Sequence, residues 1–546
     1  MQEHTSPALS EAFCSWDQIP SGTLFRHYVS GAEDLRLLWP GPHYQDWRRG
    51  GFAPPGRSAC AEAGAVSEVL RRQVRRLGGD EQAERAARLL AEPGALAIVT
   101  GQQAGLLGGP LYTFYKILTA LELGRELASR HPDRPVVVVF WLEGEDHDLR
   151  EINRVAWPAD GELEEAALEG WDERPLAMWA RRLPEAITPW LEALFRRLPA
   201  GSEVVRRWVE EAYRPGTSVP EAFARLLSRV FSGTGLLVLD PTDPELKGLL
   251  GEVFFRALVQ WPRWLHELQK QSERLHQAGY KPQIRPQGLF LFWVEPDGER
   301  RALDPDPDGR LRWRGGARTW SHAELLQLSR SQPERFSPGV ALRPIVQDWL
   351  LPTAAYVAGP AEVAYWAQVL ALYPCFGLDP PVLWPRLSAT LLDTAALRLM
   401  ERLGLRFGEL FAPEEELLAH VLARRFPLSA PFPEVRTELE AALERLRAPI
   451  AELDPSLEGT WGRVRARILE AFEDLEVRTY RAQKRRHGEL HHALRRLRVR
   501  VAPEGKMQER IWSALYGWLR WGEEWLRQQL EPRALNPEVH HLLPVP

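Results

Sequence analysis

Two apolar runs with a helix between them constrain this chain more than any other feature. Leu96-Ala97-Ile98-Val99 ends in Thr100-Gly101 and reads as a buried strand, and Val136 to Trp141 is an unbroken run of strand formers. Between them Leu111, Phe114, Tyr115, Leu118 and Leu121 recur at helical spacing, which predicts a helix over 111–130. Strand, helix, strand in this order is a βαβ unit. Its crossover packs the helix on a parallel sheet that is mostly buried, with right-handed connection.

Further strands fit the same sheet. Leu236-Leu237-Val238-Leu239-Asp240 ends in an aspartate, with Pro244 opening a helix, and Ala355-Tyr356-Val357-Ala358 precedes Gly359-Pro360. A helical, tryptophan-containing stretch at about 160–230 and a segment at about 280–335 read as insertions, the second with a hairpin from Lys281 to Leu303 turning at Pro296-Asp297-Gly298. Farther on, Val435, Leu439, Ala442, Leu446, Ile450, Leu453 and Leu457 step by three and four, a coiled-coil seam that Pro449 should kink and Asp454-Pro455 should break. A second helix through Val464, Ile468, Phe472, Leu475, Leu490, Leu494 and Leu497 should pair with it antiparallel. The fold class is therefore α/β. A Rossmann-like parallel-sheet core occupies 1–385, a helical region 386–500 with an antiparallel coiled coil at about 433–499, and a last segment 501–546 returns to the core through Trp512, Leu515, Trp518, Leu519 and Trp525.

A chain of 546 residues exceeds one hydrophobic core, and 45% hydrophobic with 26% charged residues excludes wholesale disorder. The balance of 69 basic against 74 acidic residues leaves a net charge of −5, so the chain as a whole draws neither nucleic acid nor an anionic membrane. Cys14, Cys60 and Cys375 lie too far apart to write a disulfide framework or a thiolate zinc site. MQEHTSPALSEAF has no basic or apolar targeting region and no run approaches bilayer length, so a cytoplasmic location is expected.

Three places could carry chemistry. Thr100-Gly101-Gln102-Gln103-Ala104-Gly105-Leu106-Leu107-Gly108-Gly109-Pro110 is a glycine-rich turn between strand and helix, where backbone N–H groups favour an anion. It is neither a P-loop, since Lys116 lies too far into the helix, nor a GxGxxG fingerprint, and a plain tight turn needs glycine too. Glu143-Gly144-Glu145-Asp146-His147-Asp148, with Glu151 and Asn153 close behind, crowds carboxylates and an imidazole at the next strand end; a solvated acidic turn is the bland reading. Arg343 and the turn Gly359-Pro360-Ala361-Glu362 flank another strand, and Arg343 suits either an anionic ligand or an ion pair with Asp348. His491-His492 and His540-His541 read as surface residues, and Arg478, Arg481, Lys484, Arg485 and Arg486 as a solvated helix face.

TGQQAGLLGGPLYTFYK from Thr100, VFWLEGEDHDLREIN from Val139, ALRPIVQDWLLPTAAYVAGPAEVAYWAQ from Ala341 and PEGKMQER from Pro503 together resemble the bacillithiol biosynthesis cysteine-adding enzymes, the BshC family. The resemblance spans nearly the whole chain. It implies a nucleotidyltransferase-like core with connecting insertions, a coiled coil that makes a homodimer, and a ligase that adds cysteine to glucosaminyl-malate in the last step of bacillithiol synthesis. The HIGH and KMSKS signatures of synthetases with this core are absent from the sequence.

An amide made from a free carboxylate at neutral pH needs an activated acyl group, so ATP is the expected driver, with Mg²⁺ as its companion and no protein metal site. On this expectation Thr100, Gly101, Gln102, Gln103, Gly105, Gly108 and Gly109 hold an anion together with Asn153, Gly359 and Glu362. Glu145, Asp146, His147 and Asp148 bind and deprotonate the amine, His147 being the best base by ordinary pKa, and Arg343 orients a carboxylate. The competing readings are a related enzyme of other substrate, and a non-catalytic coiled-coil scaffold.

Overall fold

The computed structural model describes residues 13–50, 63–149, 152–305, 310–316, 318–425, 431–533 and 536–546; Cys60 and Glu151 lie outside them. Two compact units emerge: one holds 164–390 and 509–542 together with the chain up to 157, the other 158–163, 391–508 and 543–546.

In the first unit, β1 (Leu96–Gln103), α1 (Leu111–Arg130) and β2 (Val136–Glu143) form the βαβ unit. The first insertion holds α2 (Ile187–Arg197), α3 (Glu203–Ala212) and α4 (Val219–Val230), before β3 (Leu237–Leu239) rejoins the sheet. Next come β4 (Leu291–Val294), β5 (Arg300–Pro305), β6 (Leu311–Trp313), β7 (Thr319–Trp320) and β8 (Phe336–Pro338). Then follow α5 (Arg343–Leu350), β9 (Thr353–Ala358), α6 (Pro360–Val369) and β10 (Val382–Pro385).

The core sheet has five parallel strands in the order β10-β9-β1-β2-β3. From β1 the chain builds outward through β2 to β3, then returns to place β9 on the other side of β1. The order therefore reverses between β1 and β9, and at such a point the crevice beyond the carboxyl ends of the strands is open to a ligand. All six residues of β9, and Leu96 to Gly101 of β1, are buried, as a sheet covered on both faces requires.

The predicted hairpin is β4-β5, but it belongs to a five-stranded sheet, β7-β6-β5-β4-β8, whose other strands are too short for a periodic signal. A second correction concerns β1. It does not end at Val99 but pairs with β2 as far as Gln103↔Glu143, so Thr100 to Gln103 are strand, not loop. Gly101 permits this, because a Cβ there would sit 2.8 Å from the Trp141 carbonyl oxygen.

In the second unit, α7 (Pro431–Arg445), α8 (Arg447–Leu453), α9 (Glu458–Arg486) and α10 (Gly488–Val501) carry the coiled-coil segment. The Phe432 and Phe472 rings lie 5.6 Å apart and Trp461 Nε1 donates to the Leu443 carbonyl at 3.3 Å, so α7 and α9 run antiparallel. The break expected from Pro449 falls at Leu446, beside the Arg445 carbonyl that the proline ring cannot accommodate. The second helix is not continuous: it is interrupted at His487, before Gly488. On the basic face, Arg478 pairs with Asp474 at 2.7 Å and Lys484 with Glu415 at 2.6 Å. Among the described residues no helix is long and apolar enough to cross a membrane.

Candidate functional site

At the reversal point lies a cavity of about 470 Å³, lined by Gly101, Gln102 and Gln103 from β1, Trp141 and Glu143 from β2, and Gly359 to Glu362 from the start of α6. Lys116, Arg343, Arg386 and Arg510 line it against only two carboxylates, Glu143 and Glu362, so its wall is cationic. A neighbouring cavity of about 460 Å³ shares Glu143, Val340 and Arg343 with it and adds Asp146, His147, Phe290, Phe292, Arg300 and Arg314. Glu143 and Arg343 thus stand where the two cavities meet.

Within the acidic cluster it is Glu143, not one of the four expected catalytic residues, that lines both cavities. Burial, then the neighbouring Glu145, push its carboxyl up to about 7, and Arg343 opposes them. A carboxyl that gains and loses its proton near neutrality is suited to general base work. Arg343, the first residue of α5, donates from Nη1 to Gln347 Oε1 at 3.1 Å and lies over the Tyr356 ring. It does not pair with Asp348, whose carboxylate accepts from Gln347 Nε2 and the Tyr373 hydroxyl and is pushed up to about 6 by burial.

Lys116, too far into α1 for a P-loop lysine, nonetheless lines the first cavity. Its buried ammonium meets the Gly101 carbonyl at 2.7 Å, Gln102 Oε1 at 3.0 Å and Glu362 Oε2 at 2.5 Å, so all three hydrogens are engaged. It ties the end of β1 to the start of α6. Glu362 in turn accepts from the Gly359 N–H at 2.8 Å and the Tyr356 hydroxyl at 2.9 Å.

The acidic cluster divides. Asp146 and His147 line the second cavity, with Gln103 Nε2 donating to Asp146 Oδ2 at 2.8 Å. Arg300 Nη1 lies 3.2 Å from His147 Nδ1; a guanidinium can only donate, so that nitrogen accepts and the neutral ring carries its hydrogen on Nε2. Burial, then Arg300, hold His147 below its ordinary pKa. His147, expected to act as the base, thus has its Nδ1 held between the Arg300 guanidinium and Asp146 Oδ1 at 3.4 Å. Glu145 is a correction of another kind: it is buried in an ion pair with Lys247, which also donates to the Phe336 carbonyl at 2.8 Å, and it lines neither cavity. Asp148 is exposed and, like Asn153, lines neither.

The glycine turn beyond Gln103 is not an anion cradle. The Leu106 N–H donates to the Ile152 carbonyl, the Leu107 N–H to the Tyr213 hydroxyl and the Gly109 N–H back to the Leu106 carbonyl. Gly108 has φ +91° and abuts the Trp518 ring, and Gly105 leaves room for the Gly109 Cα. These glycines seat the turn against α11 (Ala514–Leu530), a packing role, and none of Gly105, Gly108 and Gly109 lines either cavity. Thr100 is also buried, donating to the Val357 carbonyl at 3.0 Å.

His540, expected at the surface, is fully buried, with Nδ1 2.8 Å from Ser388 Oγ and Nε2 2.9 Å from Thr390 Oγ1; its neighbour His541 is half-buried. His491 is half-buried against Glu414 at 2.7 Å, whereas His492 is exposed. Cys14 and Cys375 are buried, Cys14 donating from Sγ to Gln18 Oε1 at 3.0 Å and Cys375 held above its ordinary pKa by burial. Among the described residues no group of three His, Cys, Asp or Glu side chains could hold a metal ion.

Residues 16–387 match the family model for the bacillithiol biosynthesis BshC N-terminal Rossmann-like domain, and 389–543 match that for the BshC C-terminal coiled-coil domain. A curated relative from Salinibacter ruber, named "Putative cysteine ligase BshC", is 35% identical over 90% of this chain and 91% of its own. Relatives of the same name from Symbiobacterium thermophilum and Heliobacterium modesticaldum are 32% and 38% identical, over 92% and 69% of this chain and 94% and 71% of their own.

Proposed function

From the premise that this chain belongs to the bacillithiol biosynthesis BshC family, we propose that it is a cysteine ligase that joins the cysteine carboxyl to the amine of glucosaminyl-malate, driven by ATP. The observation that carries this reading is Glu143, a carboxyl that lines both cavities beside Arg343 and that burial and Glu145 push up to about 7.

The chemistry needs two things of the protein. The amine must lose its proton before its nitrogen attacks, and the phosphate-bearing group leaving the activated cysteine carbonyl must be neutralised as the amide bond forms. Glu143 takes the proton. Arg343, beside it, holds an anion of either partner, as does the cationic wall formed with Arg386 and Arg510. ATP fits that wall by charge; it supplies the phosphoryl or adenylyl group that activates the carboxyl, and Mg²⁺ arrives with the nucleotide. Arg300, held to Ser337 Oγ at 3.0 Å and the Pro338 carbonyl at 3.1 Å and stacked on Phe292, fixes the His147 ring at the second cavity.

Exposed Leu446, Leu453, Val464 and Leu475 on the helical unit support self-association there, and we assign the chain a homodimer. Incubating the purified chain with ATP, cysteine and glucosaminyl-malate, and following product by thiol-labelled mass spectrometry, tests the reaction. Bacillithiol that requires all three is the expected result; intact protein giving none with all three present overturns it.

A further inference from the structure

Arg386 is 2% exposed, yet it lines the switch-point cavity. Two of its nitrogens are committed to the protein: Nη1 donates to the Leu387 carbonyl at 2.7 Å and Nη2 to Glu509 Oε1 at 2.6 Å. The third, Nε, is buried and meets no acceptor. A buried guanidinium donor left open is costly, and an anion in the cavity would complete it.

The surroundings of that nitrogen are those of a ligand pocket. A Cβ on Gly359 would lie 3.2 Å from Nε and 3.4 Å from Glu362 Oε2, so a side chain at this position would crowd both. At φ −80° and ψ 171° the Gly359 backbone is one any residue adopts, so conformation does not explain the glycine. Gly359 also caps α6, a ten-residue helix whose amino end faces the same cavity and favours negative charge. Glu362, whose Oε2 would lie 3.4 Å from the same Cβ, is occupied by Lys116 and by the Gly359 and Tyr356 donors.

Behind Arg386 stands a closed polar network. Glu509 is fully buried and also accepts from Ser388 Oγ at 2.8 Å and the Ala389 N–H at 2.9 Å; Ser388 Oγ reaches His540 Nδ1, and His540 Nε2 reaches Thr390. A carboxylate held from three sides cannot swing, and it fixes the plane of the guanidinium it binds.

We propose that Arg386 Nε and the amino end of α6 form an anion subsite, taking a phosphate or a carboxylate of substrate, and that Glu509 is the residue that positions Arg386 for it. The inference rests on the ligase reading only for which substrate brings the anion.

The test is binding of inorganic phosphate and of L-malate to the full chain by calorimetry, which needs no turnover. Gly359→Ala sets a methyl against Nε without changing charge or fold, and should weaken the anion that binds tenfold or more at unchanged melting temperature. Loss of phosphate points to the nucleotide as the source, and loss of malate to the acceptor. Arg386→Lys keeps the charge but not the Nε donor and should weaken binding similarly. Glu509→Gln should do so in the parent and add nothing in the Arg386→Lys background, a coupling that a merely structural role would not produce. Parent protein that binds neither probe, or Gly359→Ala protein that binds both like the parent, overturns the subsite. A chain that makes no bacillithiol but shows anion binding sensitive to Gly359→Ala loses the ligase reading and keeps the subsite.

Discussion

Replacing Glu143 with glutamine keeps its shape and removes its titration, and two consequences can be worked out beforehand. The lift of the carboxyl from 4.5 to about 7 corresponds to at most about 3 kcal/mol by which the folded protein disfavours the carboxylate, less for the solvent that reaches it. Because the folded pKa is raised, the native state holds the proton more tightly than the unfolded chain. Stability is therefore lost as pH rises from about 4.5 to 7, and Glu143→Gln protein should lack that loss. Activity runs the other way. If Glu143 accepts the amine proton, kcat/KM should fall about tenfold per pH unit below 7, and Glu143→Gln should lower it by roughly 10² to 10⁴ and flatten that limb. Arg343→Met, which removes the cation opposing the lift, should move the limb to higher pH. The assay is the initial rate of bacillithiol formation from pH 5.5 to 9. A Glu143→Gln enzyme that keeps more than a tenth of parent activity with the acid limb in place refutes the assignment.

Other outcomes follow from the same geometry. Gly108→Ala combines a positive φ with a Cβ driven into the Trp518 ring, and should cost roughly 2–5 kcal/mol, read as a lower denaturation midpoint with anion binding unchanged in the protein that remains folded. Lys247→Met strands the buried Glu145 carboxylate and should cost about 3–5 kcal/mol, whereas Glu145→Leu with Lys247→Met should recover most of it, as thermal unfolding would show. Leu453→Glu with Leu475→Glu should shift the chain from dimer to monomer in analytical ultracentrifugation; a parent that already sediments as a monomer removes the dimer assignment.

The architecture was legible where periodicity is strong. The βαβ unit, the hairpin turn at Pro296-Asp297-Gly298 and the strand at Ala355–Ala358 follow from apolar runs and turn residues, whereas the reversal of strand order does not. The functional rim was harder, because residue type does not say which way a side chain leaves a strand end. Glu143 and Glu145 are chemically alike and two apart, yet the chain turns at Gly144, sending one to the cavity and the other into an ion pair with Lys247. The glycines from Gly105 to Gly109 gave the right place and the wrong purpose, since only the facing Trp518, far off in sequence, explains the tight one. His540 could have been found: in Val539–Val545 the residues alternate about the strand, and His540 and Leu542 share its buried side.

Glu509 and Arg510 come from within the stretch matched by the coiled-coil family model, but they belong to the Rossmann unit, where Arg510 lines the cavity and Glu509 holds Arg386. A ribosome must therefore pass residue 510 before this pocket can close, so a chain made only through the sheet lacks a complete site. The same order governs engineering. Cutting the gene after residue 390 to obtain a solitary catalytic half removes the clamp on Arg386 along with the helices, whereas excising 391–508 and splicing across the gap spares it.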